Sequence, residues 1–303
     1  MNQPPESRGI LAIDIGNSRV KLGVFSVSQG SVDCLESTSI DRPRPGASAP
    51  GQSVVPQILH WARAKSQQTT DAPGLTQTRP TFHRCVLAGS VPAEQQRLAE
   101  EWDLEGCHLC QITSRADLEV PLDVDFPDRV GLDRVLNAYA ARRLNPHRPT
   151  ILCVSGTAIT VDLVTSDGTF RGGCILPGMR LAAIALHEHT ALLPLLDLPE
   201  EDGPALAENA YAPEWLTRLP AVPGRNTEAA MTAGLVLGQL GSVRELTQAL
   251  QKAAQEQFDE NTAPTIMLSG GSGRLLAAHL PNAQYIPNLT LLGLAFHGAS
   301  LTR

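Results

Sequence analysis

The sequence predicts an α/β fold built as two similar halves, mixed sheets flanked by helices, and three observations carry that prediction. Apolar strand-like runs alternate with amphipathic helical segments along most of the chain. A strand–glycine turn–strand unit around Gly16 recurs around Gly156, about 140 residues later, which suggests two like-folded halves facing each other across a nucleotide cleft. With 303 residues and 42% hydrophobic content, the chain can bury one large core or two medium ones.

Residues 1–9 read as a disordered leader, 10–148 as the N-terminal half and 149–303 as the C-terminal half. The apolar run Ile10-Leu11-Ala12-Ile13 feeds Asp14-Ile15-Gly16-Asn17-Ser18-Arg19-Val20-Lys21, after which Val20, Leu22 and Val24 alternate with Lys21, Gly23 and Phe25. This is a strand, a tight turn and a second strand. One carboxylate, one glycine, two small polar residues and a lysine meet at the turn, a set that suits Mg²⁺-phosphate. Asp14 would hold the metal or its waters, the turn N–H groups and Ser18 would donate to phosphate oxygens, and Lys21 would neutralise charge. The same residues also fit an ordinary hairpin whose Gly16-Asn17 fills a positive-φ turn.

Ser31–Ile40 can supply a third strand, and the composition then changes at Asp41. Two polar stretches, 41–52 and 66–80, read as surface loops around a short helix, Val54–Ala64. Residues 84–91 form a buried strand, and Pro92 opens a helix through about Trp102. Cys107-His108-Leu109-Cys110 has zinc-like spacing, but no second Cys/His pair stands at a zinc-site distance, so a partly buried strand is the better reading. The six cysteines fit reduced core thiols.

Residues 127–134 lead into a helix with Leu132, Val135, Leu136, Tyr139 and Leu144 on one face and Asp133 and Arg134 in its first turn. That aspartate either complements the helix dipole beside a surface arginine, or accepts a proton from a substrate hydroxyl while the guanidinium holds an anion. The opening theme returns in Thr150–Thr157, with strands at Ile159–Thr165 and Phe170–Leu176. Gly172-Gly173 and Pro177-Gly178 lead into a helix containing Leu186, and 197–225 form an irregular, proline-rich insertion. Asn226-Thr227-Glu228 caps a long helix whose apolar positions are Ala229, Ala230, Leu235, Leu237 and Leu240; Thr227 also reads simply as a cap residue. Thr265–Leu268 is a buried strand ending in Ser269-Gly270-Gly271, where backbone can pack closely on a flat ligand such as adenine. A last strand and helix close the chain.

Net charge is −7 with no dense Lys/Arg run, which argues against nucleic acid as the main partner. No apolar stretch reaches the roughly 18 to 20 residues needed to span a bilayer, and the first nine residues carry no signal-peptide core. The expected setting is the cytoplasm, away from membranes.

In order and spacing, Asp14-Ile15-Gly16-Asn17-Ser18 with Lys21, Gly89-Ser90-Val91-Pro92, Val130-Gly131-Leu132-Asp133-Arg134, Gly156-Thr157-Ala158, Gly172-Gly173 with Pro177-Gly178, Asn226-Thr227 and Ser269-Gly270-Gly271 resemble the type III pantothenate kinases. These belong to the acetate kinase, sugar kinase and actin-like ATPase superfamily, and the resemblance runs from residue 10 nearly to the C-terminus. It implies two ribonuclease H-like halves and transfer of the ATP γ-phosphate to pantothenate, the first step towards coenzyme A. It also implies Mg²⁺, a monovalent cation (K⁺ or NH₄⁺) and a homodimer. By the same resemblance Asp14, Ile15, Gly16, Asn17, Ser18, Arg19, Val20 and Lys21 would form the first phosphate and Mg²⁺ loop, and Thr157 a second ATP contact. Gly131, Leu132, Asp133 and Arg134 would touch pantothenate, with Asp133 as the base, and Thr227 would reach substrate from a helix near the dimer interface. Physically this set is reasonable, because phosphoryl transfer needs alignment, charge neutralisation and one carboxylate to receive the proton.

The chain departs from the family pattern at two places. Val154 stands where the family has the aspartate that ligates the monovalent cation, so either other oxygens such as backbone carbonyls and Ser155 hold the cation or the enzyme does without it; Val124 stands at about the place of a tyrosine in the pantothenate pocket. Two other readings of the sequence remain: a non-catalytic regulatory or transcription accessory protein on the same fold, and another small-molecule kinase or phosphatase of the superfamily.

Overall fold

A computed structural model describes residues 8–28, 31–42, 53–67, 82–196, 198 and 219–301. The expected leader as far as residue 7, most of both polar loops and most of the 197–225 insertion lie outside the described residues. The chain divides into two compact units. The first comprises residues up to 119, 131–136 and 290 onward; the second comprises 120–130 and 137–289.

In the first unit, β1 (Arg8–Ile15), β2 (Arg19–Ser28) and β3 (Ser31–Asp41) form an antiparallel meander, and β4 (Phe82–Gly89) and β5 (His108–Gln111) add to β1 in parallel. The sheet order is β3-β2-β1-β4-β5. β1 takes in Arg8 and Gly9, which the sequence reading left in the leader. Strand alternation sends Leu11, Ile13, Ile15, Val20, Leu22 and Val24 to one face. There they meet α1 (Val55–Gln67) and the buried Leu98 of α2 (Pro92–Glu101). Each fully buried Leu or Ile contributes about 1.5–3 kcal/mol of apolar transfer. On the opposite face lies α7 (Leu289–Ser300): a Cβ on Gly298 would press on Val86 and Ile10, and Gly298 O accepts a hydrogen bond from Arg84 Nη1 at 2.6 Å.

The second unit repeats this order. β6 (Thr150–Ser155), β7 (Ala158–Val164) and β8 (Phe170–Pro177) are antiparallel, and β9 (Thr265–Gly270) and β10 (Ala283–Tyr285) extend β6 in parallel. Its order, β8-β7-β6-β9-β10, matches the first sheet strand for strand. The duplicated turn therefore belongs to a duplicated five-stranded scaffold. Ile151, Cys153, Ile159, Val161, Ile266 and Leu268 form a core with Leu240, Val243 and Ala254 of α5 (Thr227–Gln257) and Leu276 of α6 (Gly273–His279). α4 (Met179–Glu188) follows β8, its Met179 packed with Val236 and Leu275.

Two helix faces differ from the sequence reading. α3 (Leu132–Leu144) buries Val135, Leu136 and Tyr139 as expected, but Leu144 in its last turn is exposed. On α5 the buried positions include Met231, Ala233, Val236, Leu240 and Val243, while Ala230 is exposed and Leu235 and Leu237 are only half-buried. Helical spacing admitted both faces, and contact with β6 and β7 selected one. Among the described residues no helix is long and apolar enough to cross a membrane. Burial pushes the Cys107 and Cys153 thiols up to about 12, as suits core cysteines. The Cys107–Cys110 stretch falls on strand from His108 onward, as β5 (His108–Gln111).

Candidate active site

The first cluster of polar residues follows from the period of β1 and β2. Since the odd-numbered apolar residues of β1 enter the core, Asp14 is left on the opposite face, directly across the ladder from Lys21. Between them the chain reverses in three residues, with Gly16 N–H donating to Arg19 O at 2.9 Å. A Cβ on Gly16 would lie 2.9 Å from that same carbonyl, so only glycine permits so tight a reversal. β4 seals the turn from the side: Ser90 N–H donates to Ile15 O at 2.9 Å, and a Cβ on Gly89 would strike that carbonyl. Asn17 and Ser18 remain exposed at the tip.

Asp133 belongs to the same unit and stands exposed in the first turn of α3, which starts from Gly131 O through the amides of Arg134 (3.1 Å) and Val135 (3.3 Å). A Cβ on Gly131 would collide with the Asp133 carboxylate, so glycine there keeps the acid's position open. The charge of Asp133 reaches Asp14. Asp14 is half-buried, and its carboxyl is pushed up to about 6, mainly by burial; Lys21 pulls it down and Asp133 pushes it up. Two carboxylates near one lysine leave local negative charge that a divalent cation would relieve.

In the second unit the equivalent turn has Gly156 N–H donating to Ala158 O at 3.0 Å. Gly270 stands at the end of β9 as Gly89 does at the end of β4. It has φ +82°, a Cβ there would strike Ser155 O, and Gly271 N–H donates to that oxygen at 3.0 Å. Thr157 is exposed in the turn, and its carbonyl accepts from Gly178 N–H at 3.0 Å, which ties the turn to the start of α4. By the sheet equivalence Val154 is the counterpart of Asp14, and its cross-strand neighbours are Thr160 and Ser269. Thr227 is exposed as the first residue of α5; the cap itself is Asn226, whose Oδ1 accepts from Ala229 N–H at 2.7 Å. Val124 is half-buried, and a Cβ on Gly172 would meet its Cγ1 at 3.4 Å.

The sequence reading passed over Arg42 and Asp41. Arg42 Nη1 donates to Gly16 O at 3.0 Å and to Asn17 O at 2.9 Å, its amide donates to Ser18 O at 2.8 Å, and Arg19 Nε donates to Asp41 Oδ1 at 2.7 Å. Arg42 stands at the head of a proline-rich stretch, and composition alone files it with a surface loop.

These positions can be set against known proteins. The sequence model of the family described as type III pantothenate kinase matches residues 10–249. The chain belongs to that family. Proteins named type III pantothenate kinase include one from Herminiimonas arsenicoxydans, 30% identical over 248 residues, covering 72% of this chain and 87% of its own. Another, from Agathobacter rectalis, is 26% identical over 290 residues, covering 94% and 95%. The one from Rhodopirellula baltica is 35% identical over 175 residues, which cover 58% of this chain and 55% of that protein. Among solved structures, a putative 2-dehydro-3-deoxygalactonokinase from Sinorhizobium meliloti aligns with TM-score 0.50 at 15% identity, covering 96% of this chain and 99% of its own. A putative Baf family transcriptional activator from Campylobacter jejuni aligns with TM-score 0.53 at 15% identity, covering 96% and 98%. At such identity these two establish the fold alone, the sugar-kinase and actin-like ATPase fold.

The donor chemistry separates the two cations that the sequence resemblance implies. Asp14, half-buried, raised and sensing Asp133, fits Mg²⁺, which binds through one or two carboxylates plus substrate phosphates and needs no protein cage. The monovalent cation finds no side-chain carboxylate at this place in β6. The Val154 side chain offers no oxygen, Ser269 Oγ accepts from Leu289 N–H at 3.2 Å, and the carboxylate on that face belongs to Asp162, two residues farther along opposite Leu152; the neighbouring Ser155 Oγ is buried with no hydrogen-bond partner among the described residues.

Proposed function

We propose that the chain is an ATP-dependent kinase that transfers the γ-phosphate of ATP to the 4′-hydroxyl of pantothenate, opening the route to coenzyme A. The observation that supports it most is the constellation in the first unit: Asp14 opposite Lys21, with the charge of Asp133 acting on Asp14, inside the stretch that the family model matches.

In this reading the turn from Asp14 to Lys21 receives the ATP phosphates, and Lys21 balances their charge. Asp14 would hold Mg²⁺, directly or through its waters; when bound, the ion neutralises charge on the β- and γ-phosphates. Asp133, exposed and free of a covering Cβ at Gly131, takes the hydroxyl proton as the pantothenate oxygen bonds to the γ-phosphorus. The bond from the γ-phosphorus to the β,γ-bridging oxygen breaks, giving 4′-phosphopantothenate and ADP. Gly131, Leu132 and Arg134 are assigned to the pantothenate side, Thr157 of the second unit to ATP, and Thr227 to pantothenate. The active species is a homodimer in the cytoplasm, without nucleic acid or membrane partners. Because the Val154 side chain supplies no ligand, this reading has catalysis proceed without K⁺ or NH₄⁺ rather than with a cation held by other oxygens such as backbone carbonyls and Ser155.

The test is pantothenate-dependent ADP formation with Mg²⁺-ATP, run in sodium and then in potassium buffer. Turnover in both is expected. Turnover only in potassium would overturn the cation assignment, and no turnover in either would overturn the kinase.

A further inference from the structure

We infer that Arg42 is a positioning residue that sets the phosphate turn for nucleotide. The inference rests on the kinase reading of the same site. Three consecutive carbonyls of the turn, those of Gly16, Asn17 and Ser18, all face Arg42, the residue that follows β3. The first two accept from Arg42 Nη1 at 3.0 and 2.9 Å, the third from the Arg42 amide at 2.8 Å. In a planar trans peptide the C=O of one residue and the N–H of the next point in opposite directions. Holding these three oxygens toward Arg42 therefore turns the N–H groups of Asn17, Ser18 and Arg19 to the other side of the turn. Successive amides aimed one way make a concavity suited to anionic oxygens.

The guanidinium is suited to this work. It is always charged, and one of its nitrogens is shared between two adjacent carbonyls in a fixed geometry that a flexible ammonium holds less well. Arg42 is itself held in place. Arg19 Nε bonds Asp41 Oδ1 at 2.7 Å, and Arg19 is 18% exposed at its side chain, so the residue before Arg42 is tied to the far end of the turn it braces. Neither Asp41 nor Arg42 needs to touch the nucleotide. Arg42 acts through the backbone of residues 16–18, and its loss lets those peptides rotate and spoils the alignment of the donors.

The experiment compares wild type, Arg42→Ala and Arg42→Lys. It reads ADP affinity by calorimetry, KM for Mg²⁺-ATP and for pantothenate, kcat, and thermal unfolding. Arg42→Ala is expected to weaken ADP binding and raise the KM for Mg²⁺-ATP by about tenfold, as loss of charge-assisted bonds at a preorganised site implies. KM for pantothenate should stay within about twofold. Arg42→Lys should recover part of the loss, and millimolar methylguanidinium should improve nucleotide affinity of Arg42→Ala alone. Unchanged nucleotide affinity in Arg42→Ala, or an equal rise in both KM values, overturns the inference. Should Arg42→Ala fail to fold, Arg42→Lys carries the decision: affinity equal to wild type overturns the inference, and a loss of about threefold or more upholds it. A wild type that binds ADP but ignores pantothenate refutes the kinase while leaving the Arg42 comparison intact, because that is read from ADP binding. A wild type that binds no adenine nucleotide overturns both.

Discussion

Replacing Asp14 with Asn should make the unliganded protein more stable and the enzyme inactive. In the folded chain the Asp14 carboxyl sits at about 6 against an ordinary value of 3.8, because burial and Asp133 outweigh Lys21. A raised carboxyl favours folding only while protonated, so its contribution is full below pH 4 and is lost as pH rises through about 6. At pH 8 the ionised group costs about 3 kcal/mol relative to the unfolded chain, from about 2.2 pKa units at 1.36 kcal/mol each. At pH 5 the cost is about half of that. Asn carries no charge at either pH. Calorimetric unfolding should then show the variant higher than wild type by about 6 °C at pH 8 and by clearly less at pH 5, at roughly 2 °C per kcal/mol for a chain of this size. Adding Mg²⁺-ADP should reverse the order, because wild type gains a cation partner for the carboxylate and the variant does not. An equal stability difference at the two pH values, or a variant less stable than wild type at pH 8, would refute the reasoning.

Asp133→Asn should lower kcat by about 10²–10⁴-fold while ADP affinity stays within about twofold, since the proton acceptor goes and the phosphate turn stays; turnover at the wild-type rate removes Asp133 as base. Val154→Asp should create a K⁺ dependence, read as ADP formation against K⁺ concentration at constant ionic strength, and superimposable titrations for variant and parent would contradict it. Gly270→Ala forces a side chain to φ +82° against Ser155 O, so a loss of about 1–3 kcal/mol or more is expected in chemical denaturation. Asn226→Ala removes the acceptor for Ala229 N–H and should cost about 1 kcal/mol at the start of α5; an unchanged unfolding midpoint would mean that another group caps the helix.

What the sequence revealed depended on the range of the interactions involved. Strand period and glycine turns are local, so β1, β2, β4 and β6 to β9 could be read from runs such as Ile10–Ile13 and Thr265–Leu268, with ends shifted by only a few residues. The repeat of Gly16 in Gly156 foretold a second copy of the sheet, because each turn needs a strand on either side. Helix faces were less legible. Leu144 and Leu237 satisfy helical spacing as well as Leu136 and Leu240 do, and only tertiary contact decides which are covered. Asp14 and Lys21 were readable as a cross-strand pair; the raised carboxyl was not, since it needs α3 to bring Asp133 into range from more than a hundred residues away. Arg42 left no sequence signal at all, as its bonds to Gly16 and Asn17 span 26 and 25 residues.

The packing of α7 bears on how the protein is made. Its Gly298 rests against the first sheet and its Gly293 against Leu136 of α3, yet about 150 residues separate the last earlier segment of that unit from it. At translation speeds of about 5–20 residues per second, the Ile10–Val86 surface waits roughly 10–30 s without its cover. During that interval the nascent first unit offers an apolar sheet face to chaperones or to other growing chains. Lesions in α7 should therefore appear as poor yield of folded enzyme before they appear as altered kinetics.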